Sequence, residues 1–163
     1  MARIDSRLDT ILTAIVVRLA AQLDGIDANN CYLAIDDGEI APSAGDFVCV
    51  VSPTSGQFDE GYLHGGGVSQ ASDFFEFDVT VYSTVQLDES YRDPVKLTDS
   101  TLGLIQKHYQ TLLALTTHDL LSGSDNILRD PILPMSYSFG RSGRGLSFVK
   151  QTFRLAFDWD LTP

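Results

Sequence analysis

The spacing of apolar residues near the start of the chain predicts a helix. Leu8, Ile11, Leu12, Ile15, Val16, Leu19 and Leu23 recur at intervals of three and four, which gathers them on one helical face. Asp5 or Ser6 can cap it, Gly25 can end it, and Arg7, Thr13, Arg18 and Gln22 fall mostly on the other side. Turn signals then dominate from Asn29 to Asp46, notably Asp36-Asp37-Gly38 and Ala41 to Gly45, around a short apolar run at Cys31 to Ile35. Phe47 to Val51 reads as a buried strand. Ser52 to Asp73 is polar and glycine-rich, with Gly56, Gly61 and Gly65-Gly66-Gly67, and predicts a long loop of functional use.

From Asp73 to Val85 the chain alternates strictly. Phe75, Phe77, Val79 and Val81 fall on one face, and Glu76, Asp78, Thr80 and Tyr82 on the other, the pattern of a half-buried strand. Asp93-Pro94 opens a second helix, with the carboxylate as cap and proline at the first helical position, where its missing N–H costs nothing. Leu97, Leu102, Ile105, Tyr109, Leu112 and Leu113 carry the apolar pattern to about Leu115, and Gly103 weakens the helix by about 1 kcal/mol relative to alanine. Beyond a linker at Thr116 to Asp130, Pro134 to Phe139 and Leu146 to Leu161 read as strands joined by Gly140-Arg141-Ser142-Gly143-Arg144-Gly145. Phe153, Leu155, Phe157, Trp159 and Leu161 share one face of the last strand, whereas Leu146 and Phe148 have the opposite parity. That change predicts a bulge near Val149 or Lys150. The order of elements gives an α+β class: a mostly antiparallel sheet with two main helices packed on one face and a long glycine-rich loop.

A chain of 163 residues is expected to form a single domain, 1–163. Eleven Lys plus Arg against 22 Asp plus Glu give a net charge of −11, the wrong sign for general nucleic-acid binding or for an anionic membrane surface. No apolar run is long enough to span a bilayer, because Ile11 to Leu23 is broken by Thr13, Arg18 and Gln22. Its flank of mixed charge argues against a signal peptide, so a cytoplasmic site of synthesis and assembly is expected. Cys31 and Cys49 are too few for a disulfide framework or a structural zinc site.

The search for chemistry gives no catalytic, metal or cofactor site. There is no phosphate loop, H-E-x-x-H, calcium loop or G-x-S-x-G elbow. His64, His108 and His118 lack metal spacing, and His118-Asp119 reads better as a helix-end contact than as an acid–base pair. Asp36, Asp37 and Glu39 read as a solvated turn, and Asp158 and Asp160 as an outward strand face. Gly140-Arg141-Ser142-Gly143 matches the G-x-x-G loop of KH domains, but it joins strands rather than helices, and the charge balance opposes it. Two groups of residues read as subunit or partner interface instead. Phe58, Asp59, Glu60, Tyr62 and His64 place aromatic anchors on the glycine-rich loop, and Arg141 and Arg144 are exposed cations on an acidic protein.

The order of these elements resembles tail terminator proteins of long-tailed bacteriophages. The resemblance is carried by the N-terminal amphipathic helix, the loop-interrupted strand, the strand Phe74-Phe75-Glu76-Phe77-Asp78-Val79-Thr80-Val81-Tyr82, the second helix and the final Phe153-Arg154-Leu155-Ala156-Phe157-Asp158-Trp159. It implies a structural virion protein of the tail or neck, not an enzyme and without cofactors. Such a subunit forms a homo-oligomeric, hexameric ring on the tail tube, stops tube polymerisation and offers a surface to the head-completion or connector proteins. DNA would pass the acidic lumen without specific binding. The Ser52 to Asp73 loop is longer than such a compact subunit needs. Alternative readings are a head–tail stopper or connector of the neck and a small hydrolase using His118.

Overall fold

A computed structural model describes residues 7–35, 47–58, 70–84, 93–116, 128, 131–143 and 145–160, with 70–72 and 160 described through their backbone alone. The elements run α1 (Arg7–Gln22), β1 (Cys31–Leu33), β2 (Phe47–Phe58), β3 (Gln70–Ser83), α2 (Pro94–Thr116), β4 (Leu133–Arg141) and β5 (Ser147–Asp160). The strands form a five-stranded sheet in the order β1-β2-β3-β5-β4. β1 runs parallel to β2, and every other neighbouring pair is antiparallel. The α+β class expected from the sequence is therefore present, with both helices on one face of the sheet.

That face is the main core. Ile11, Ile15 and Leu19 of α1 and Leu104, Ala114 and Leu115 of α2 meet Cys49, Val51, Phe77, Val79, Val81, Val149, Phe153 and Phe157 of the sheet. The strict alternation of β3 supplies Phe75, Phe77, Val79 and Val81 to it, and Phe77 stacks on Phe153 with ring centres 5.6 Å apart. α1 is pinned at both ends. Arg7 Nη1 donates to the carbonyl of Asp158 at 2.8 Å, and Arg18 Nε donates to the carbonyl of Ala114 at 3.3 Å, a cation placed at the end of α2 where carbonyls lack partners. Gly25, with φ +76°, turns the chain after α1.

The start of α2 forms as its sequence predicts. Asp93 Oδ1 accepts from the N–H of Val95 at 3.0 Å, and the Asp93 carbonyl accepts from Leu97 N at 3.0 Å.

Three expectations are corrected. First, β5 keeps continuous register with β3 from Phe148 to Asp160, so there is no bulge at Val149 or Lys150. Leu146 and Phe148 point to the far face because a second apolar cluster lies there, with Val48, Val50 and Tyr82. Secondly, much of the stretch from Ser52 to Asp73 is strand. β2 continues to Phe58 and β3 begins at Gln70, paired through Phe58↔Asp73 with an irregularity between Pro53 and Ser55. Main-chain bonding to β3 holds a segment whose side chains give no apolar signal. The rest of that expected loop, 59–69, lies outside the described residues, as does most of the linker at Thr116 to Asp130.

The third correction concerns α2. Its core side carries Ser100, Leu104, Lys107, Thr111, Ala114 and Leu115, while Leu97, Leu102, Ile105, Tyr109 and Leu113 are exposed. The helix has apolar residues on two opposite arcs, and the sheet takes only one of them.

Candidate assembly surfaces

β4 lies at one edge of the sheet, and every residue of the strand is exposed. Its sequence Leu133-Pro-Met-Ser-Tyr-Ser-Phe-Gly140 contains no charged residue. Leu133, Met135, Tyr137 and Phe139 are between 46% and 62% exposed, a degree of exposure that four large apolar side chains rarely show on one monomer strand. Tyr137 and Phe139 pair in register with Gln151 and Val149, which places them on the helix side of the sheet. There they continue the floor of the core to the margin of α2.

His108 joins this strand to the outer arc of α2. Its ring packs 4.5 Å from Tyr137 and 6.0 Å from Phe139, centre to centre. Ile105 and Tyr109 stand three and one positions away on the same helix, and Leu102 and Leu113 extend the row at helical spacing. These four side chains are between 41% and 60% exposed. Tyr137 and Phe139 of β4 and the outer arc of α2 thus adjoin at the β4 end of the molecule, while Leu133, in register with Arg154 beyond the irregularity between Pro134 and Ser136, lies on the far face.

The opposite end is also open. β1 covers β2 only from Cys49 to Val51, so from Ser52 to Phe58 the outer edge of β2 meets no described strand. Leu33, Ile35 and Phe58 are exposed at this end, and Ser52 to Phe58 again carries no charge. Between the two ends the far face carries the second apolar cluster and, beside it, a polar ladder. Arg154 Nη2 bonds Glu76 Oε1 at 2.8 Å, Thr152 Oγ1 donates to Asp78 Oδ1 at 2.6 Å, and Lys150 Nζ stands 3.3 Å from Asp78 Oδ2.

Of the residues singled out in the sequence, Phe58 is exposed at the end of β2. Arg141 is built into the β4–β5 turn: its Nε donates to the Gly145 carbonyl at 2.9 Å. Ser142 N donates to the Leu146 carbonyl at 2.8 Å, Leu146 N donates to Ser142 Oγ at 3.1 Å, and Gly145 has φ +81°. That turn is a bonded structure that Arg141 helps to close, and its G-x-x-G pattern joins strands. Asp59, Glu60, Tyr62, His64 and Arg144 lie outside the described residues, as do Asp36, Asp37, Glu39, His118 and Asp119. The sequence reading missed the apolar row of β4 and the outer arc of α2. The signal was present as the large apolar residues Leu133, Met135, Tyr137 and Phe139 of an uncharged strand and as an α2 pattern too wide for one face.

Among the described residues no group of three or more His, Cys, Asp or Glu is placed to hold a metal, and no helix is long and apolar enough to cross a membrane. No family model matches the chain, and no curated protein matches it.

Proposed function

We propose that this chain is a structural subunit of a ring that caps the tail tube of a long-tailed bacteriophage, stopping tube polymerisation and presenting a surface to the head-completion proteins. The observation that supports it best is a pair of open-edged ends, the apolar β4 edge and the uncharged, polar β2 edge beside exposed Leu33, Ile35 and Phe58, on an acidic molecule of net charge −11. Solvated strand edges are ordinarily blunted with charge. Leaving both ends bare suits a protein whose edges are covered on assembly, and a ring closed by head-to-tail contacts has no free edge. The excess of carboxylates suits a lumen through which DNA passes, since like charge repels the phosphates. In this reading the work is done by surfaces and not by catalysis, and the protein resides in the virion.

The test is mass in solution over a range of concentrations by light scattering, with negative-stain images, alone and with purified tail tubes. Hexameric rings that sit on tube ends and halt elongation support the terminator reading. Rings that bind the head-side connector and ignore tubes would move the protein to the neck as a stopper. A species that remains monomeric and binds neither removes the reading.

A further inference from the structure

Resting on the ring reading, we propose that the ring closes through the sheet itself: the β4 edge and outer α2 arc of one copy receive the β1–β2 end of the next copy. Strand direction supports this first. Taking β2 as pointing up, β1 also points up, β3 down, β5 up and β4 down. When a second copy is set beside the first in the same orientation, β4 meets an upward strand, so the junction is antiparallel. That is the pairing formed by most strands in this sheet and the more stable per residue. The two ends therefore match in polarity without inverting a subunit.

Area supports it next. The six half-exposed side chains Tyr137, Phe139, Leu102, Ile105, Tyr109 and Leu113, at about 200 Å² apiece when fully exposed, present about 600 Å², the lower end of the share each partner gives to an interface of ordinary size. Charge supports the choice of a second copy as occupant. Copies with net charge −11 repel one another, and they approach at least cost where both surfaces are uncharged. Leu133 to Gly140 and Ser52 to Phe58 are such stretches. Neither stretch has a carboxylate of its own to offer a cationic partner. Pairing β4 with β4 about a two-fold axis would also be antiparallel, but it would leave Leu33, Ile35 and Phe58 bare at the other end. Head-to-tail contact covers both ends with one repeated interface.

The experiment uses two variants of the full chain. One carries Tyr137→Lys and Phe139→Lys on the β4 end, and the other carries Leu33→Lys and Ile35→Lys on the β1 end. All four side chains are exposed, and lysine is the residue that natural edges use against pairing. Each substitution also lowers the net negative charge, so lost assembly cannot be ascribed to added repulsion. Circular dichroism and thermal melting establish that both variants fold, and Ser138→Lys, on the far face of β4, serves as a second block should Tyr137→Lys disturb His108. Light scattering then reads mass. The expected result is a monomer for each variant alone and a heterodimer when the two are mixed, because each retains the end that the other lacks. A dimer of the β1-end variant beside a monomeric β4-end variant would overturn the head-to-tail arrangement in favour of a two-fold. Rings formed by both variants would overturn the proposal and leave the ring reading standing. Heterodimers from variants whose parent fails to cap tubes would sink the terminator reading and leave this interface in place. Folded wild-type protein that stays monomeric, alone and on tube ends, overturns both.

Discussion

The ring of Phe47 lies against Gly103. A Cβ built on Gly103 would stand 2.4 Å from Phe47 Cζ, so this helical position has no room for a side chain while the ring holds its place. Phe47 opens β2 and Gly103 sits within α2, and one turn further on Lys107 Nζ lies 4.9 Å from the same ring centre. The glycine that weakens the helix is also what lets α2 approach the sheet at β2.

Gly103→Ala is accordingly expected to destabilise the protein. Alanine gains about 1 kcal/mol in helix propensity, but overpacking costs about 1–3 kcal/mol, leaving a net loss of about 1 kcal/mol. Urea unfolding checks this. Phe47→Leu in the same chain should recover much of the loss, and a stabilised single Gly103→Ala variant would show that the ring moves aside freely.

Lys107 is 3% exposed, and among the described residues no carboxylate stands within salt-bridge distance of it. Burial lowers its pKa from the usual lysine value, and the charge of Asp24 partly opposes that shift. Lys107→Met should raise stability at neutral pH by about 1 kcal/mol, since it removes a buried charge and keeps the aliphatic stem. The pH dependence has a definite sign. A lowered folded pKa means that the unfolded chain binds the proton more tightly, so wild-type stability rises with pH between the folded pKa and about 10.5. The advantage of Lys107→Met should therefore shrink as pH rises through that window. Denaturation curves at pH 7, 9 and 10.5 measure it, and an advantage that grows with pH contradicts the assignment.

Cys31 and Cys49 face each other across the parallel β1–β2 pair, and both are buried. Cys49 is held well above the ordinary thiol range, first by its hydrogen bond with Cys31 and then by burial. Neither thiol should react with an aromatic disulfide reagent at pH 8 while the protein is folded, and both should react on unfolding. Because the Cys49 pKa is raised, its contribution is intact below pH 9 and is lost as the unfolded thiol ionises above it. Rapid labelling of either cysteine in the native state would mean that β1 opens.

Trp159 Nε1 donates to Asp73 Oδ2 at 2.9 Å, and Gly56 is pressed so closely on this carboxylate that a Cβ there would lie 2.7 Å from Oδ1. Three strands are tied here, β2 through Gly56, β3 through Asp73 and β5 through Trp159. Trp159→Phe leaves a buried carboxylate short of a donor and should cost about 2 kcal/mol. Since Trp159 is the one tryptophan of the chain, Asp73→Ala provides a local readout. Its fluorescence should shift to the red at low urea, before the circular dichroism changes. An unshifted emission and unchanged stability would show that this contact does not hold the ribbon.

Much of this fold was legible because its signals are local. α1, the Asp93-Pro94 start of α2 and the alternation of β3 each rest on period, cap and turn chemistry that a few residues carry by themselves. The candidate surfaces were legible only in part. Phe58 and Arg141 are both exposed, but the sequence did not show that the carbonyl of Gly145, across the turn, takes the Arg141 Nε–H. The parity change in β5 was visible and was given the wrong cause, since a second cluster on the far face produces the same pattern as a bulge.

The sequence alone determined α1, the Asp93-Pro94 start of α2, the alternating strand β3, the acidic balance, and the lack of the catalytic and metal-ligating motifs sought in it. Tertiary structure decided which of two apolar arcs of α2 is buried, that Ser52 to Phe58 is a strand, and that β4 stands at an uncovered edge. The physical reason is that periodicity fixes which residues share a face, whereas burial of that face depends on what packs against it. Leu104 and Tyr109 look alike as apolar helical positions; the sheet covers one and leaves the other exposed.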